Sequence, residues 1–287
     1  MPQRYAVIGN PIEHSRSPLI HQAFARQLGI DLSYEKLWAP IDGFEETVNA
    51  FRARGGRGMN VTVPFKLEAF DLAGRHSARA ERALAANTLV FPESADEPIF
   101  ADNTDGVGLV NDLAFHGLKL EGKRVLILGA GGATRGVLAP LLGQNPQEIL
   151  VANRNPERAY GLVEEFSDAA GECGLFGCPL EGIEDSLFDL VINATPASLT
   201  AQLPPLPDAL IGARTVAYDM AYGAEPTVFM QWADERGARR TLDGLGMLVE
   251  QAAESFSLWH GQRPDTAPVR DLLREDIRRA AEAAEAD

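Results

Sequence analysis

Runs of apolar residues alternate with amphipathic stretches along most of the chain, a pattern typical of the strands and helices of an α/β protein. In the first third of the chain this pattern predicts a β-α-β-α-β series. Its strands are predicted over residues 5–8, 34–38 and 60–63, and a further strand over residues 88–91. The first helix is predicted to begin at Pro18 with Ser17 as its N-cap, and the second carries Phe44, Val48 and Phe51 on one face.

A second α/β series begins at residue 124. Its strands are predicted over residues 124–128, 149–152, 190–192, 216–218 and 240–242, and the regular alternation predicts a parallel, doubly wound sheet. Beyond Gly244 the pattern becomes helical, with an apolar stripe formed by Leu245, Leu248, Val249, Ala252, Ala253, Phe256 and Trp259. We place a domain junction near residue 105, so two domains are expected.

Composition narrows the range of partners. The 287 residues carry a formal net charge of −15, so the long-range field repels nucleic-acid phosphates and anionic lipid surfaces. No apolar run reaches the roughly 20 residues of a membrane span, and the N-terminal residues lack a signal-peptide core. We therefore expect a cytoplasmic protein that binds neither nucleic acid nor membrane. No metal site is expected, because Cys173 and Cys178 are the only cysteines and no further ligands lie near them.

A glycine-rich turn follows the strand predicted over residues 124–128. The segment reads VLILGAGGATRG, with Gly129, Gly131 and Gly132 between the strand and the next helix. Glycines let the backbone turn tightly and approach a pyrophosphate, which the amides of a helix N-terminus then hold. The third position of the usual fingerprint is Thr134, and an ordinary strand-to-helix turn is the alternative interpretation. The length of the surrounding βαβ unit favours dinucleotide binding.

The end of the next strand indicates which dinucleotide is bound. An NAD enzyme usually places Asp or Glu there to bond the ribose hydroxyls, whereas this chain reads VANRNPER. Asn153 occupies that place, and Arg154 and Arg158 follow. Two guanidinium groups suit the 2′-phosphate of NADP, because arginine forms bidentate bonds to phosphate oxygens. The alternative is that both arginines are solvated residues at the start of a helix.

Short polar side chains of the first domain stand at predicted strand and helix ends. Ser15 and Ser17 precede a helix and suit a small carboxylate, although Ser17 as an N-cap is the alternative. Lys66 follows the strand predicted over residues 60–63, as a candidate acid or as a surface residue. The segments Asn87-Thr88 and Asn103-Thr104-Asp105 add further polar groups, each of which could equally be a cap.

Taken together, these segments resemble the shikimate dehydrogenases, NADP-dependent oxidoreductases of aromatic amino acid biosynthesis. The resemblance runs from about residue 5 to about residue 273 and is carried, in order, by GNPIEHSRSPLIH, NVTVPFK, DNTDGVG, GAGGATRGV, NR, YDMAY and DGLGMLVEQAA. It implies that the C-terminal helices return to the first domain. Residues 1–105 with 245–287 would then form a substrate-binding domain and residues 106–244 an NADP-binding Rossmann domain, with the active site in the cleft between them.

The resemblance also implies roles for individual residues. Lys66 would be the catalytic acid/base, paired with Asp105. The substrate carboxylate and neighbouring groups would be held by Ser15, Ser17 and Thr62, and the ring hydroxyls would be contacted by Asn87, Asp105, Tyr222 and Gln251. The NADP site would be lined by Gly129, Ala130, Gly131, Gly132, Ala133, Asn153, Arg154, Arg158, Met220 and Gly244.

The implied reaction is the reversible reduction of 3-dehydroshikimate to shikimate, with hydride supplied by NADPH and a proton by Lys66. Two alternatives remain open at this point. One is an NAD-dependent quinate/shikimate dehydrogenase, against which Arg154 and Arg158 argue. The other is a non-catalytic sensor of shikimate or quinate, which would have no need of the Lys66–Asp105 pair. The expected partner is a small-molecule substrate, and the protein is expected to be a monomer or homodimer.

Overall fold

The computed structural model describes residues 2–94, 96–184, 186–197, 203 and 206–286. The chain divides into two compact units. The first runs to Gly108 and resumes over Leu248–Glu275, and the second comprises Leu109–Met247 and the residues from Asp276 onward. Each unit contains one six-stranded sheet with helices, which confirms the predicted α/β class. The assignment of a binding role to each predicted domain stays a prediction.

Twelve strands and ten helices are present in the described residues. The strands are β1 (Gln3–Gly9), β2 (Leu32–Trp38), β3 (Gly56–Val61), β4 (Arg75–His76), β5 (Thr88–Val90), β6 (Phe100–Asp102), β7 (Arg124–Leu128), β8 (Glu148–Asn153), β9 (Gly174–Pro179), β10 (Leu190–Asn193), β11 (Val216–Asp219) and β12 (Arg240–Asp243). The helices are α1 (Ser17–Leu28), α2 (Phe44–Ala53), α3 (Lys66–Leu72), α4 (Ala78–Ala83), α5 (Asp105–Phe115), α6 (Gly132–Leu142), α7 (Pro156–Phe166), α8 (Val228–Glu235), α9 (Leu245–His260) and α10 (Ala267–Ala286).

The sheet of the first unit is mixed. Its strand order is β2-β1-β3-β5-β6-β4, with β5 antiparallel to both β3 and β6. Asn60 near the end of β3 pairs with Thr88 at the start of β5, and Thr88 pairs in turn with Asp102 at the end of β6. These three strand ends therefore lie at one edge of the sheet. Since β1 runs parallel to β3, the segment after β1 begins at that same edge.

The sheet of the second unit is entirely parallel, as predicted. Its order is β12-β11-β10-β7-β8-β9, which is the 3-2-1-4-5-6 order of a Rossmann fold when the strands are counted from β7. Val125 and Ile127 belong to the apolar core on one face of β7, whereas Leu126 and Leu128 belong to the core on the other. Burial on both faces explains why this strand is an unbroken apolar run in the sequence.

Several predicted boundaries differ from the structure. Helix α1 begins at Ser17 with Arg16 as its N-cap, so the prediction that Ser17 is the N-cap was wrong. Strand β3 ends at Val61 rather than at residue 63, because Thr62 accepts the backbone hydrogen bond of Phe65 and the chain turns there. Three strands had no counterpart in the prediction: β4, β6 and β9. The first two are too short to show a period, and β9 contains two glycines and no fully buried residue.

A line of paired charges joins α9 and α10 to β6 within the first unit. Arg79 donates two hydrogen bonds to the buried Asp102 carboxylate, both of 2.7 Å, and one of 2.8 Å to Glu254 on α9. Glu250, one helical turn earlier, accepts hydrogen bonds from Arg263, Thr266 and Arg270. A buried carboxylate needs such partners to remain ionised, so this network fixes the C-terminal helices to the sheet. None of the described helices combines the length and apolarity that crossing a membrane requires.

Candidate active site

An ion pair between Lys66 and Asp105 lies at the edge of the first sheet. Lys66 is the first residue of α3, Asp105 is the first of α5, and Lys66 Nζ lies 2.6 Å from Asp105 Oδ2. Both side chains are only partly exposed, at 32% and 16%. The backbone amide of Ala86 donates to the Lys66 carbonyl at 2.8 Å, which fixes the start of α3 against the segment that leads into Asn87. The lysine is therefore held in place at both its backbone and its ammonium group.

The orientation of the Asn87 carboxamide follows from its partners. The backbone N–H of Thr104 can only donate, and it lies 2.9 Å from Asn87 Oδ1, so the oxygen of the carboxamide faces that amide. Asn87 Nδ2 consequently faces Asp105 Oδ1 at 2.8 Å and Gln251 Oε1 at 3.2 Å. Four of the predicted site residues, Lys66, Asn87, Asp105 and Gln251, are thus in one hydrogen-bonded group.

The two predicted carboxylate-binding serines lie after β1. Ser15 Oγ lies 3.3 Å from Ser17 Oγ and accepts the backbone N–H of Ser17 at 3.3 Å. Thr62 follows β3 directly, and its methyl group packs so closely on Gly9 that a Cβ there would come within 2.6 Å. The parallel pairing of β1 with β3 starts both segments at the same sheet edge as the Lys66 group.

An uncharged aromatic cluster underlies this edge. The ring of His21 stacks on that of Tyr34 with 4.5 Å between centroids, and neither nitrogen of His21 has a hydrogen-bond partner among the described residues. Burial lowers the pKa of His21 to about 3, against a smaller opposing effect of the Asn60 amide. Burial also raises the pKa of Tyr34, whose hydroxyl donates to Asn60 Oδ1 at 2.7 Å. Both rings are therefore neutral near pH 7.

The glycine-rich turn has the geometry of a phosphate-binding loop. Gly129 has a φ of +104°, a conformation that favours glycine, and the Thr134 hydroxyl donates to its carbonyl oxygen at 2.7 Å. This hydrogen bond closes the turn at the position where the usual fingerprint has a third glycine. A Cβ on Gly131 or Gly132 would meet no atom within 4 Å. The N-terminus of α6, which includes Ala133, is therefore open to an approaching pyrophosphate.

The residues after β8 form the second part of the predicted cofactor site. Asn153 Oδ1 accepts the backbone N–H of Ala130 at 3.3 Å, so this side chain links the strand end to the glycine turn. Asn155 caps α7 through the N–H of Glu157. Arg154 and Arg158 are exposed, and no residue in the described part of the chain pairs with either guanidinium group. The observed donors suit the 2′-phosphate of NADP, since no carboxylate occupies the position used for NAD.

Two further predicted cofactor residues meet at the ends of β11 and β12. A Cβ on Gly244 would lie 2.1 Å from the carbonyl oxygen of Met220, so glycine is required for the backbones to come this close. Tyr222 follows Met220 by two residues and belongs to the second unit, whereas the other predicted substrate residues belong to the first. The prediction that Tyr222 contacts substrate stays a prediction.

Three buried side chains of the site, those of Asn60, Thr104 and Ser255, were given no role among the predicted site residues. Thr104 lies in the motif DNTD and Asn60 in the motif NVTVPFK, so the neighbouring predicted site residues mark both positions as close to the site. Ser255 lies one helical turn after Gln251 on an apolar helix, and serine at that position is an ordinary helix residue by pattern alone.

A Rossmann sheet with an open glycine turn, together with a Lys–Asp pair on the first unit, defines a two-unit, dinucleotide-binding oxidoreductase. Three segments match family descriptions. Residues 7–89 match the shikimate dehydrogenase substrate binding domain, residues 112–201 match shikimate/quinate 5-dehydrogenase, and residues 244–274 match the shikimate 5′-dehydrogenase C-terminal domain. The chain belongs to the shikimate dehydrogenase family.

Curated relatives and solved structures agree with this membership. A shikimate dehydrogenase (NADP(+)) of Nitrosospira multiformis is 53% identical over 278 residues, which are 96% of this chain and 99% of the relative. One of the same name from Chromohalobacter salexigens is 56% identical over 274 residues, covering 96% and 98%. The crystal structure of shikimate 5-dehydrogenase from Thermus thermophilus in complex with NADP(H) and shikimate is 34% identical, with a TM-score of 0.83 and coverage of 95% and 99%.

Proposed function

We propose that this chain catalyses the reversible, NADP-linked reduction of 3-dehydroshikimate to shikimate. Its curated relatives are named shikimate dehydrogenase (NADP(+)). The observation that carries the proposal is the Lys66–Asp105 pair of 2.6 Å within the same hydrogen-bonded group as Asn87 and Gln251. A proton donor and several hydroxyl-binding groups together suit a polyhydroxy ring that carries a ketone. The proposal includes a role in aromatic amino acid biosynthesis and a cytoplasmic location.

Lys66 is the proton donor in this mechanism. A carbonyl carbon that accepts hydride leaves its oxygen negatively charged unless a proton arrives, so a positioned acid accelerates the step. The Lys66 ammonium protonates that oxygen, and in the reverse direction the neutral amine accepts the hydroxyl proton. Asp105 holds the ammonium in position through Oδ2. The partial exposure of Lys66 lets the amine exchange its proton with solvent between turnovers.

Binding and orientation are assigned to the polar groups at the same sheet edge. Asn87, Asp105 and Gln251 contact ring hydroxyls, because they belong to the same hydrogen-bonded group as the Lys66 ammonium. Ser15, Ser17 and Thr62 bind the carboxylate through their hydroxyls. The roles of these residues and of Tyr222 follow the resemblance described above.

The residues of the second unit suit NADPH, which supplies the hydride when it is bound. The N-terminus of α6 holds the pyrophosphate through its free amides, and Asn153 keeps the turn in register with β8. Arg154 and Arg158 bind the 2′-phosphate, since positive charge at the start of α7 opposes the helix dipole and requires an anion to offset it. Gly129, Met220 and Gly244 shape the backbone of the site.

The test is loss of NADPH absorbance when purified protein meets 3-dehydroshikimate. NADH with the same substrate, and quinate with NADP⁺, are measured in parallel. We expect turnover with NADPH far above that with NADH, and little oxidation of quinate. Preference for NADH or quinate would replace the proposal with a quinate/shikimate dehydrogenase. Binding of shikimate without turnover by any pair would leave a ligand sensor as the function.

A further inference from the structure

Three fully buried hydroxyl groups lie together next to the polar side chains of the site. Thr88, Thr104 and Ser255 are fully buried, each with 0% exposure. Ser255 Oγ lies 2.7 Å from Thr88 Oγ1 and 3.3 Å from Thr104 Oγ1. It also accepts the Asn60 amide at 3.0 Å. One serine on α9 therefore contacts strand β3, strand β5 and the segment between β6 and α5.

The direction of these hydrogen bonds follows from the number of protons. Ser255 Oγ lies 3.0 Å from the Gln251 carbonyl, which can only accept, so the single hydroxyl proton of Ser255 points there. Ser255 is consequently an acceptor toward the Asn60 amide and toward Thr88. The proton in the 2.7 Å contact then comes from Thr88. This removes the Thr88 hydroxyl as a donor to Asn87 Oδ1, which retains the Thr104 N–H.

Three of the contacts of Ser255 adjoin side chains that are proposed to bind substrate. Thr88 follows Asn87, Thr104 precedes Asp105, and Gln251 lies one turn away on the same helix. The contacts join segments that are 167 and 151 residues apart in the chain. No hydrogen bond among the described residues joins Ser255 to Lys66. The hydrogen bonds of Ser255 therefore lead to the groups proposed to bind ring hydroxyls and not directly to the proposed proton donor.

We propose that Ser255 is a positioning residue that sets the orientation of Asn87 and Gln251 toward the substrate. The inference rests on the proposed function. Hydrogen bonds to ring hydroxyls that do not react are formed equally in the bound substrate and in the transition state, so their loss raises KM and leaves kcat nearly unchanged. A purely structural role would lower stability without this separation of the two constants.

The experiment compares Ser255→Ala with Ser257→Ala. Ser257 lies on the same helix, and its hydroxyl has no hydrogen bond among the described residues. We expect Ser255→Ala to raise KM for shikimate about five- to tenfold, the value of one well-placed hydrogen bond, with kcat and KM for NADP⁺ within about twofold. Ser257→Ala should match the unsubstituted protein in all three constants. Cysteine has nearly the same side-chain volume as serine but forms weaker hydrogen bonds. The KM of Ser255→Cys for shikimate should therefore lie between those of the unsubstituted protein and Ser255→Ala.

Several outcomes would overturn the inference. An unchanged KM for shikimate in folded Ser255→Ala would do so, as would a fall in kcat at constant KM. If Ser255→Ala fails to fold, Ser255→Cys replaces it in the test. A KM for shikimate equal to that of the unsubstituted protein would then overturn the inference. Absence of turnover in the unsubstituted protein would count against the proposed function instead, so the two failures are distinguishable.

Discussion

Lys66 Nζ and Asp105 Oδ2 lie 2.6 Å apart although 39 residues separate them in the chain. The pairing depends on the mixed sheet of the first unit, in which β5 lies between β3 and β6. The lysine follows β3 and the aspartate follows β6, and the antiparallel β5 brings both strand ends to one edge. Asp105 then uses its second oxygen for Asn87, so Lys66 and Asn87 share one carboxylate.

Replacement of Lys66 by alanine should remove the proton donor. We expect kcat to fall about 10²–10⁴-fold, the usual contribution of a general acid, with little change in shikimate affinity. Steady-state kinetics and calorimetric titration with shikimate measure the two effects. Lys119→Ala, a substitution of an exposed lysine in the second unit, serves as the control and should leave kcat unchanged. An unaltered kcat in Lys66→Ala would remove this residue from the mechanism.

Removal of Arg154 or Arg158 should weaken the preference for NADPH. Each guanidinium is expected to form charge-assisted bonds to the 2′-phosphate, and their loss should lower kcat/KM for NADPH about 10–100-fold. The same constant for NADH, which lacks that phosphate, should change little. Arg239→Ala tests for a general effect of lost positive charge, because Arg239 is exposed elsewhere in the second unit. Equal losses with both cofactors would contradict the assignment.

His21 should make the fold sensitive to acid. Its pKa is about 3 in the folded state and near the ordinary 6.5 when unfolded, so the unfolded state binds more protons between these values. The free energy of unfolding should therefore fall as the pH drops from 6.5 toward 3, by at most about 1.4 kcal/mol per pH unit from this residue. His21→Phe keeps the stacked ring without a titrating group.

Urea denaturation of both proteins across this range measures the difference. The curve of His21→Phe should be flatter but not level, because His260, whose pKa burial also lowers, remains in both proteins. If the free energy of unfolding depends on pH in the same way in both proteins, His21 does not titrate as described.

Leu84 occupies a backbone conformation that suits glycine. It ends α4 with a φ of 48°, and its side chain is 49% exposed. The left-handed conformation costs a non-glycine residue about 1–2 kcal/mol. Glycine avoids this cost, but its greater freedom in the unfolded chain lowers the free energy of unfolding by about 0.5–1 kcal/mol. Leu84→Gly should thus raise the free energy of unfolding by about 0.5–1 kcal/mol. Leu84→Ala, which keeps the strain, should not. A Leu84→Gly protein less stable than Leu84→Ala would refute this account.

Two glycines of the second unit should respond differently to alanine. Gly244→Ala places a Cβ 2.1 Å from the Met220 carbonyl oxygen, so unfolding free energy should fall by about 1–3 kcal/mol. Gly131→Ala meets no atom within 4 Å, so stability should change by less than about 0.5 kcal/mol while KM for NADPH rises. Thermal denaturation and cofactor titration distinguish the two. Equal stability losses would show that the space around Gly131 is not open.

The parts of the molecule that sequence predicts well depend on local signals. The five strands predicted after residue 124 are all present with their ends within one residue, because each is a buried apolar run bounded by turn residues. The glycine turn is equally local, and the structure adds why Thr134 can replace a glycine: its hydroxyl caps the Gly129 carbonyl. The polar motifs gave Lys66, Asn87, Asp105 and Gln251 as a set by resemblance. The sheet register explains why the first three lie together, and helix α9 adds Gln251.

Features that depend on distant contacts were not accessible from the sequence. The two-residue β4 and the three-residue β6 are stabilised by their neighbours in the sheet and not by their own pattern. Ser255 is indistinguishable from any helix serine until Thr88 is placed beside it. The need for glycine at position 244 likewise comes from the Met220 backbone, which approaches from another strand end.

The first unit is assembled from two ends of the sequence, with α9 delivering Gln251 to a group that begins at Lys66. During translation, the residues up to Gly108 emerge from the ribosome long before those from Leu248 onward. The nascent chain therefore holds Lys66, Asn87 and Asp105 without Gln251 or the Glu254 carboxylate that Arg79 binds. Because the proposed site includes Gln251, a message that ends within the second unit should give a protein without activity.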